Sequence, residues 1–340
     1  MNFGHEVTVI CANEPKSNKE ESMDGIRFLR VPYIGKIANT NITPSPPIEI
    51  LREDFDLIHA HLPTDWSAII SAAKGKPLVL TYFNDIVGEG HFGGIAQIYG
   101  KFNLKFVLNR ASKIVIVQPS YIKSSRYLRG YEDKIEIIPV GVDLEKYKPT
   151  GMATDGKTLF FLAILDIYHR YKGLDDLLRA LVLVKRAVPD VKLIIEGEGE
   201  LLSHYKSLSD ELGLRDNVDF TGLIPVEMVP NFYNKYDIFI LPSASPSQEG
   251  FGMVALEAMA CGKPVVCTDV VGVADDIKAE GAGLAVGASD HQELAAAISH
   301  LLQNRSEARR MGEVGRRLAE ERYGWGMIAK RVESIYVDLV

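Results

Sequence analysis

Apolar runs of four to eight residues recur along the chain, separated by longer stretches with helical spacing of apolar positions. VTVICA (7–12), IRFLRV (26–31), DLIHAH (56–61), PLVLTYF (77–83), KIVIVQ (113–118) and IEIIPVG (135–141) read as strands. DWSAIISAAK (65–74), GGIAQIYGKFNLKFVLNRA (93–111) and PSYIKSSRYLRG (119–130) read as helices between some of them. A polar, glycine-containing stretch, KPTGMATDGK (148–157), interrupts the rhythm, which then restarts with TLFFLAIL, VKLIIEG, VDFTG, DIFILPS, PVVCTD and GLAV. Strands alternating with helices imply parallel sheets covered on both faces. The expected fold is α/β, with two Rossmann-like domains facing across a cleft, one over residues 1–150 and one over 151–322. The amphipathic helix in 323–340 is placed to pack back on the first domain.

The 340 residues suit two domains of ordinary size, and 46% hydrophobic against 24% charged residues supplies two cores. A net charge of −7 argues against general nucleic-acid binding. The charge is uneven: residues 1–150 hold 18 Lys/Arg against 17 Asp/Glu, leaving 20 against 28 in the remainder. Cys11, Cys261 and Cys267 lack metal spacing and sit in apolar runs, as reduced core cysteines of a cytoplasmic protein would. No opening signal segment is read, and no apolar run approaches the length of a membrane span. The expectation is a soluble protein, at most peripheral on a membrane.

Candidate chemistry concentrates in EGFGMVALE (249–257), which follows the strand DIFILPS and a Pro/Ser-rich loop. The stretch MVALEAMA reads as a helix stopped by Gly262. The carboxyl edge of a parallel sheet is where such folds bind ligands. Gly250 and Gly252 allow close approach of the backbone, and the amides of Gly252, Met253 and Val254 would point at an anion. Glu249 and Glu257, the latter placed two turns into the helix, would then face opposite ends of that ligand. An arbitrary pair at this spacing is more often a capping carboxylate followed by a surface glutamate; the glycines and the strand before them favour the ligand reading.

Residues 247–273, with GAGLAV (281–286) behind them, resemble the retaining glycosyltransferases of family 4, which have the GT-B architecture. GHEVTVI, DLIHAH, IPVGVDLEKY, YKGLDDLLRAL, KLIIEGEGE and VDFTGLIP fit the same family in order. The resemblance implies sugar transfer, with retention, from a UDP- or GDP-linked sugar to a lipid-linked, glycan or small polar acceptor. It requires no cofactor and no metal. It implies that Glu249 meets the sugar hydroxyls, that Glu257 meets the ribose, and that Gly250, Phe251, Gly252, Met253 and Val254 hold the diphosphate. Lys172 resembles the family's diphosphate-binding lysine. The family's preceding Gly-Arg pair is replaced by Asp166 and Ile167, which leaves Arg170 to supply a second positive charge. Gly197 and Gly199 in EGEG approach the phosphates or form an ordinary turn. Asp175–Asp176 and Asp275–Asp276 read as helix starts rather than metal ligands.

On the acceptor side, Phe83 stands where many family members carry a histidine. Asn84, Asp85 and His91 are the polar candidates nearby, Asp85 first, with a turn or cap role as its alternative. His59 and His61 alternate on a strand and so share a face. The start, MNFGHEVTVI, enters a strand almost directly, without the family's first strand-loop-helix unit. These departures motivate alternatives: a non-catalytic nucleotide-sugar binder or partner subunit, or an epimerase of nucleotide sugars. Between Gly90 and Tyr131 there are seven Lys/Arg and no acid, with Phe102 and Phe106 beside Lys101 and Lys105, Lys123, Arg126 and Arg129 following. That pattern fits contact with an anionic membrane, or a helix packed by its apolar stripe.

Overall fold

The computed structural model describes residues 4–14, 16–33, 35–37, 40–42, 50–62, 66–83, 85, 103–246 and 248–340. The chain divides into two compact units, Met1–Ile137 with Glu333–Val340, and Ile138–Val332. The first strands of the first unit are β1 (Thr8–Asn13), β2 (Lys19–Met23) and β3 (Ile26–Pro32). They form a sheet in the order β1-β3-β2, with β1 parallel and β2 antiparallel to β3. The tight β2–β3 connection is Asp24–Gly25, both at positive φ (51° and 78°), the backbone of a type I′ hairpin. β4 (Gly35–Ile37) and β5 (Thr40–Ile42) pair antiparallel on their own.

A second sheet of this unit is wholly parallel, in the order β6 (Ile58–Leu62), β7 (Leu78–Tyr82), β8 (Lys113–Ile116), β9 (Ile135–Ile137). Every residue of β7 is buried, as both faces of such a sheet require. Helix α1 (Trp66–Ala73) follows β6 and packs against α2 (Lys105–Arg110), which leads into β8. The short α3 (Ser120–Ser124) follows β8. Thus the expected strands of this half form, but in separate sheets, with β1 and β6 each at an edge.

The second unit has one six-stranded sheet. Its strands are β10 (Thr158–Leu162), β11 (Lys192–Glu196), β12 (Val218–Gly222), β13 (Ile238–Leu241), β14 (Val265–Thr268) and β15 (Gly283–Val286). Their spatial order is β12-β11-β10-β13-β14-β15, all parallel. This is the doubly wound order, with its switch point between β10 and β13. Helices α4 (Leu174–Ala187), α5 (Leu202–Glu211), α6 (Val229–Lys235), α7 (Met253–Ala260), α8 (Ala274–Glu280) and α9 (His291–Gln303) follow the strands in turn. Then come α10 (Arg305–Leu318), a π-helical turn (Ala319–Tyr323) and α11 (Trp325–Val337). Leu177, Leu178 and Leu181 of α4 and Ile298 of α9 seal the sheet residues Leu159, Phe161, Leu193 and Ile240, all fully buried. Among the described residues no helix is long and apolar enough to cross a membrane.

Candidate functional site at the switch point of the second sheet

β10 and β13 lie side by side although three helices and two strands separate them in sequence. After β10 the chain runs through Ala163–Leu165 into a 3-10 turn, Ile167–Lys172, capped by Asp166, whose carboxylate accepts from the His169 amide at 2.9 Å. After β13 it runs through Pro242–Gly252 into α7. The two loops bring Lys172 and Glu249 together: Nζ donates to Oε2 at 2.8 Å. The Ser243 hydroxyl, wholly buried, donates to the same oxygen in a short bond. The Ser243 carbonyl in turn accepts from Thr268 Oγ1 at 2.6 Å. Glu249 is 2% exposed, so its charge is held by contacts within the protein. Lys172 also stands 5.1 Å above the Tyr171 ring. Burial, reinforced by the charges of Glu249 and Asp166, pushes the Tyr171 phenol well above its ordinary range.

Beside this pair the chain turns into α7. Gly252 sits at φ 86°, and the first amides of α7 lack acceptors within the helix. The carbonyls of Gly250 and Phe251 accept from the amides of Gly272 and Val273, at 3.2 and 3.1 Å, which pins the turn to the loop after β14. The Phe251 ring is buried against Tyr323, 5.5 Å between centroids, so its main chain alone lines the turn. Met253 is exposed at the helix start and Val254 is half-buried. Because α7 begins at Met253, Glu257 lies one turn inside it rather than two, since residues 249–252 are not helical. Glu257 Oε2 accepts from the Tyr233 hydroxyl at 2.8 Å. Burial raises the Glu257 carboxyl above its ordinary range; Tyr233, Tyr147 and the charge of Lys146 oppose that shift.

Gly197 and Gly199 lie on the loop after β11, where a Cβ would stand 1.8 Å from the Ala163 carbonyl oxygen and 2.2 Å from that of Leu165. The loops after β10 and β11 therefore run backbone against backbone. Arg170 does not join the Lys172–Glu249 pair. Its side chain is 54% exposed and its Nε reaches Asp175 Oδ2 at 3.3 Å, where the first turn of α4 attracts its own partner. Asp275 and Asp276 lie in the first turn of α8, and Asp276 accepts from Arg322 at 3.1 Å. Among the described residues no cluster of His, Cys, Asp or Glu has the makings of a metal site.

In the first unit, Asp85 accepts from the Tyr82 hydroxyl at 2.7 Å and from Ser125 Oγ at 2.6 Å. His59, His61 and Phe83 form a stacked column, with centroids 4.8 and 5.8 Å apart. His59 bonds Thr81 Oγ1 at 2.7 Å and, in a short contact, the Tyr336 hydroxyl. Asn84, His91, Lys101 and Phe102 lie outside the described residues, as does the side chain of Lys123. In α2, Val107 and Leu108 face inward, while Lys105 and Phe106 are exposed.

Sequence reasoning missed Ser243, Tyr147, Tyr233 and Glu196. Glu196 is 5% exposed, accepts from the Ile224 amide at 3.0 Å, and has its carboxyl pushed up by burial. Its place in EGEG, at the end of a buried strand, was the available signal.

A doubly wound sheet with an ion pair at its switch point and a glycine-flanked helix start beside it has the makings of a site for an anionic ligand. Sucrose-phosphate synthase from Thermosynechococcus elongatus superposes with a TM-score of 0.75 at 21% identity, covering 99% of this chain and 90% of that one. HepE from Anabaena, solved in complex with UDP, superposes with a TM-score of 0.72 at 21% identity over 87% of this chain and 83% of that one. The family model for glycosyl transferases group 1 matches residues 146–318, and that for Glycosyltransferase Family 4 matches residues 2–146. The chain belongs to the glycosyl transferases group 1 family. A GDP-mannose-dependent alpha-(1-6)-phosphatidylinositol monomannoside mannosyltransferase of Mycolicibacterium smegmatis is 32% identical over 62% of this chain and 60% of its own length. The chain thus spans about 60% of that relative. A D-inositol 3-phosphate glycosyltransferase of Segniliparus rotundus is 32% identical over 82% of this chain and 65% of its own.

Proposed function

We propose that this protein transfers a sugar, with retention, from a UDP- or GDP-linked donor to a lipid-linked, glycan or small polar acceptor. The observation that carries the reading is the ion pair of Lys172 with buried Glu249 at the sheet's switch point, next to the start of α7. The family membership and the relatives' mannosyl- and inositol-phosphate glycosyltransferase names support the same reaction class. In this reading the diphosphate lies on the amides of Gly252, Met253 and Val254, within reach of Lys172. The leaving group gains charge as the anomeric C–O bond breaks, and a lysine beside preorganised amides stabilises that charge most in the transition state. Glu249 orients the sugar hydroxyls and Glu257 takes the ribose. The acceptor hydroxyl attacks from the face the diphosphate leaves, and a departing phosphate oxygen receives its proton, so no protein nucleophile is required. Arg170, released from Asp175, adds a second charge, and Gly197 and Gly199 let their loop run close to the phosphates. Asp85, with His59 and His61, serves the acceptor side, and the exposed Lys105 and Phe106 of α2 touch an anionic membrane that carries the acceptor.

The test is incubation with a panel of UDP- and GDP-sugars and a lipid extract, with product anomers assigned by NMR. A product that keeps the donor's anomeric configuration is expected. An inverted product, or an altered sugar still on its nucleotide, overturns the assignment.

A further inference from the structure

Glu257 is held more closely than a helix glutamate needs to be. It sits on the first turns of α7, half-buried, and an exposed surface glutamate would have served a helix as well. Instead its Oε2 accepts from Tyr233, whose hydroxyl is 2.8 Å away. Tyr233 is 1% exposed, and its ring is wedged edge-on against Phe160 (5.4 Å) and tilted against Phe239 (5.5 Å), both core residues. Tyr147, from the segment entering the unit, meets the Tyr233 ring edge-to-face at 6.0 Å and, with Tyr233, opposes the upward push of burial on the Glu257 carboxyl. Phenylalanine would fill either place in this aromatic cluster without a polar atom to satisfy.

We propose that Tyr233, with Tyr147, is a positioning residue that presents the Glu257 carboxylate to the vicinal hydroxyls of the nucleotide ribose. The inference rests on the donor-site reading above. An ionised carboxylate has about four lone-pair sites. Tyr233 occupies one of them, at Oε2, and the remaining ones suit two neighbouring hydroxyl donors, the pattern of a cis-diol. The tyrosines also favour the ionised form of a carboxyl that burial pushes towards the neutral one. The groups facing Glu257 are Tyr147 and Lys146 before β10, Tyr233 on α6, and Cys261 beyond the end of α7. Removing a phenol leaves burial less opposed, so the carboxyl titrates at higher pH.

Binding of UDP, GDP and their 2′-deoxy forms to the full chain, measured calorimetrically across acid to neutral pH, tests the proposal. In Tyr233→Phe the affinity for the favoured nucleotide should fall about 3- to 10-fold, the size of one lost hydrogen bond. Its loss on acidification should begin at higher pH than in the parent protein. The preference for ribose over 2′-deoxyribose should shrink. Where Tyr233→Phe fails to fold, Tyr147→Phe gives the same readouts. A uniform loss of affinity with unchanged pH limb and unchanged ribose preference would make the tyrosines packing residues and overturn the proposal. Parent protein that binds UDP or GDP with no preference for the 2′-hydroxyl overturns it too, while leaving the transferase reading intact. Parent protein that binds neither nucleotide overturns both.

Discussion

The Ala244 amide donates to the Tyr171 carbonyl oxygen at 2.7 Å, joining the loop after β13 to the turn after β10 by main chain alone. Each partner is one residue from the site: Tyr171 precedes Lys172, and Ala244 follows Ser243. A Cβ on Gly173, at φ 77°, would stand 1.9 Å from the Pro242 carbonyl oxygen, so the same two loops are also in backbone contact at their base. The meeting of Lys172 and Glu249 therefore depends on backbone geometry first and charge second.

Substituting Gly173 attacks that geometry. Gly173→Ala combines an unfavourable φ with a backbone clash and should cost on the order of 2–4 kcal/mol, read as a lowered urea midpoint. Sugar transfer should be lost along with it. An alanine variant of parental stability and activity would show the two loops are not held in this contact.

Lys172 and Glu249 should behave as a unit. Lys172→Met alone removes the cationic partner of the buried Glu249 carboxylate, at a cost of about 3–5 kcal/mol. The double variant Lys172→Met/Glu249→Gln should recover most of that stability while remaining inactive. Additive losses in the double-mutant cycle would mean the ion pair has no energetic coupling.

The two glutamates should separate kinetically. Glu249→Gln is expected to lower turnover by about two orders of magnitude or more with nucleoside diphosphate affinity nearly kept. Glu257→Gln should instead raise the nucleotide Kd about 5- to 10-fold. Equal effects of both on Kd would remove the division between sugar end and ribose end.

The first unit should lose stability on acidification through His59. Burial, with the neighbouring His61, lowers its pKa to about 3, whereas an unfolded histidine titrates near 6.5. The neutral ring's contribution is complete above the unfolded value and is lost as pH falls from there towards about 3. Between pH 7 and 5 the parent should therefore lose about 2 kcal/mol more than His59→Gln. Urea titrations at both pH values check this; parallel pH profiles would show that His59 is accessible to protons in the folded state.

Membrane contact has a narrower test. Binding to anionic vesicles that declines with added salt, and declines further in Lys105→Glu, is expected. Equal retention on neutral and anionic vesicles would assign the exposed face of α2 to solvent.

The doubly wound half was legible because each buried strand is a run such as TLFFL or DIFIL, and each helix carries its own stripe. The hairpin of β2 and β3 was not read, since KEESM has no apolar alternation; its signal was the Asp24–Gly25 dipeptide alone. The partners of the candidate residues were the least legible. Lys172 meets Glu249 across 77 positions, and His59 meets Tyr336 across 277, distances over which local spacing carries no information. Arg170 reads as a second positive charge because it stands two residues before Lys172; its contact with Asp175 was not legible, since that residue reads as a helix start. Tyr233 was hidden for a different reason: a tyrosine on a short helix looks identical whether its hydroxyl serves packing or holds a carboxylate.

The eight C-terminal residues cluster with the first unit, while 195 residues of the second unit stand before them in the chain. No single cut of the polypeptide separates two whole units. During synthesis the first unit emerges early, but the residues that complete it, including Tyr336 against His59, follow the whole of the second unit. The second unit is contiguous and can complete itself beforehand. Order of emergence and order of completion are thus reversed between the two units.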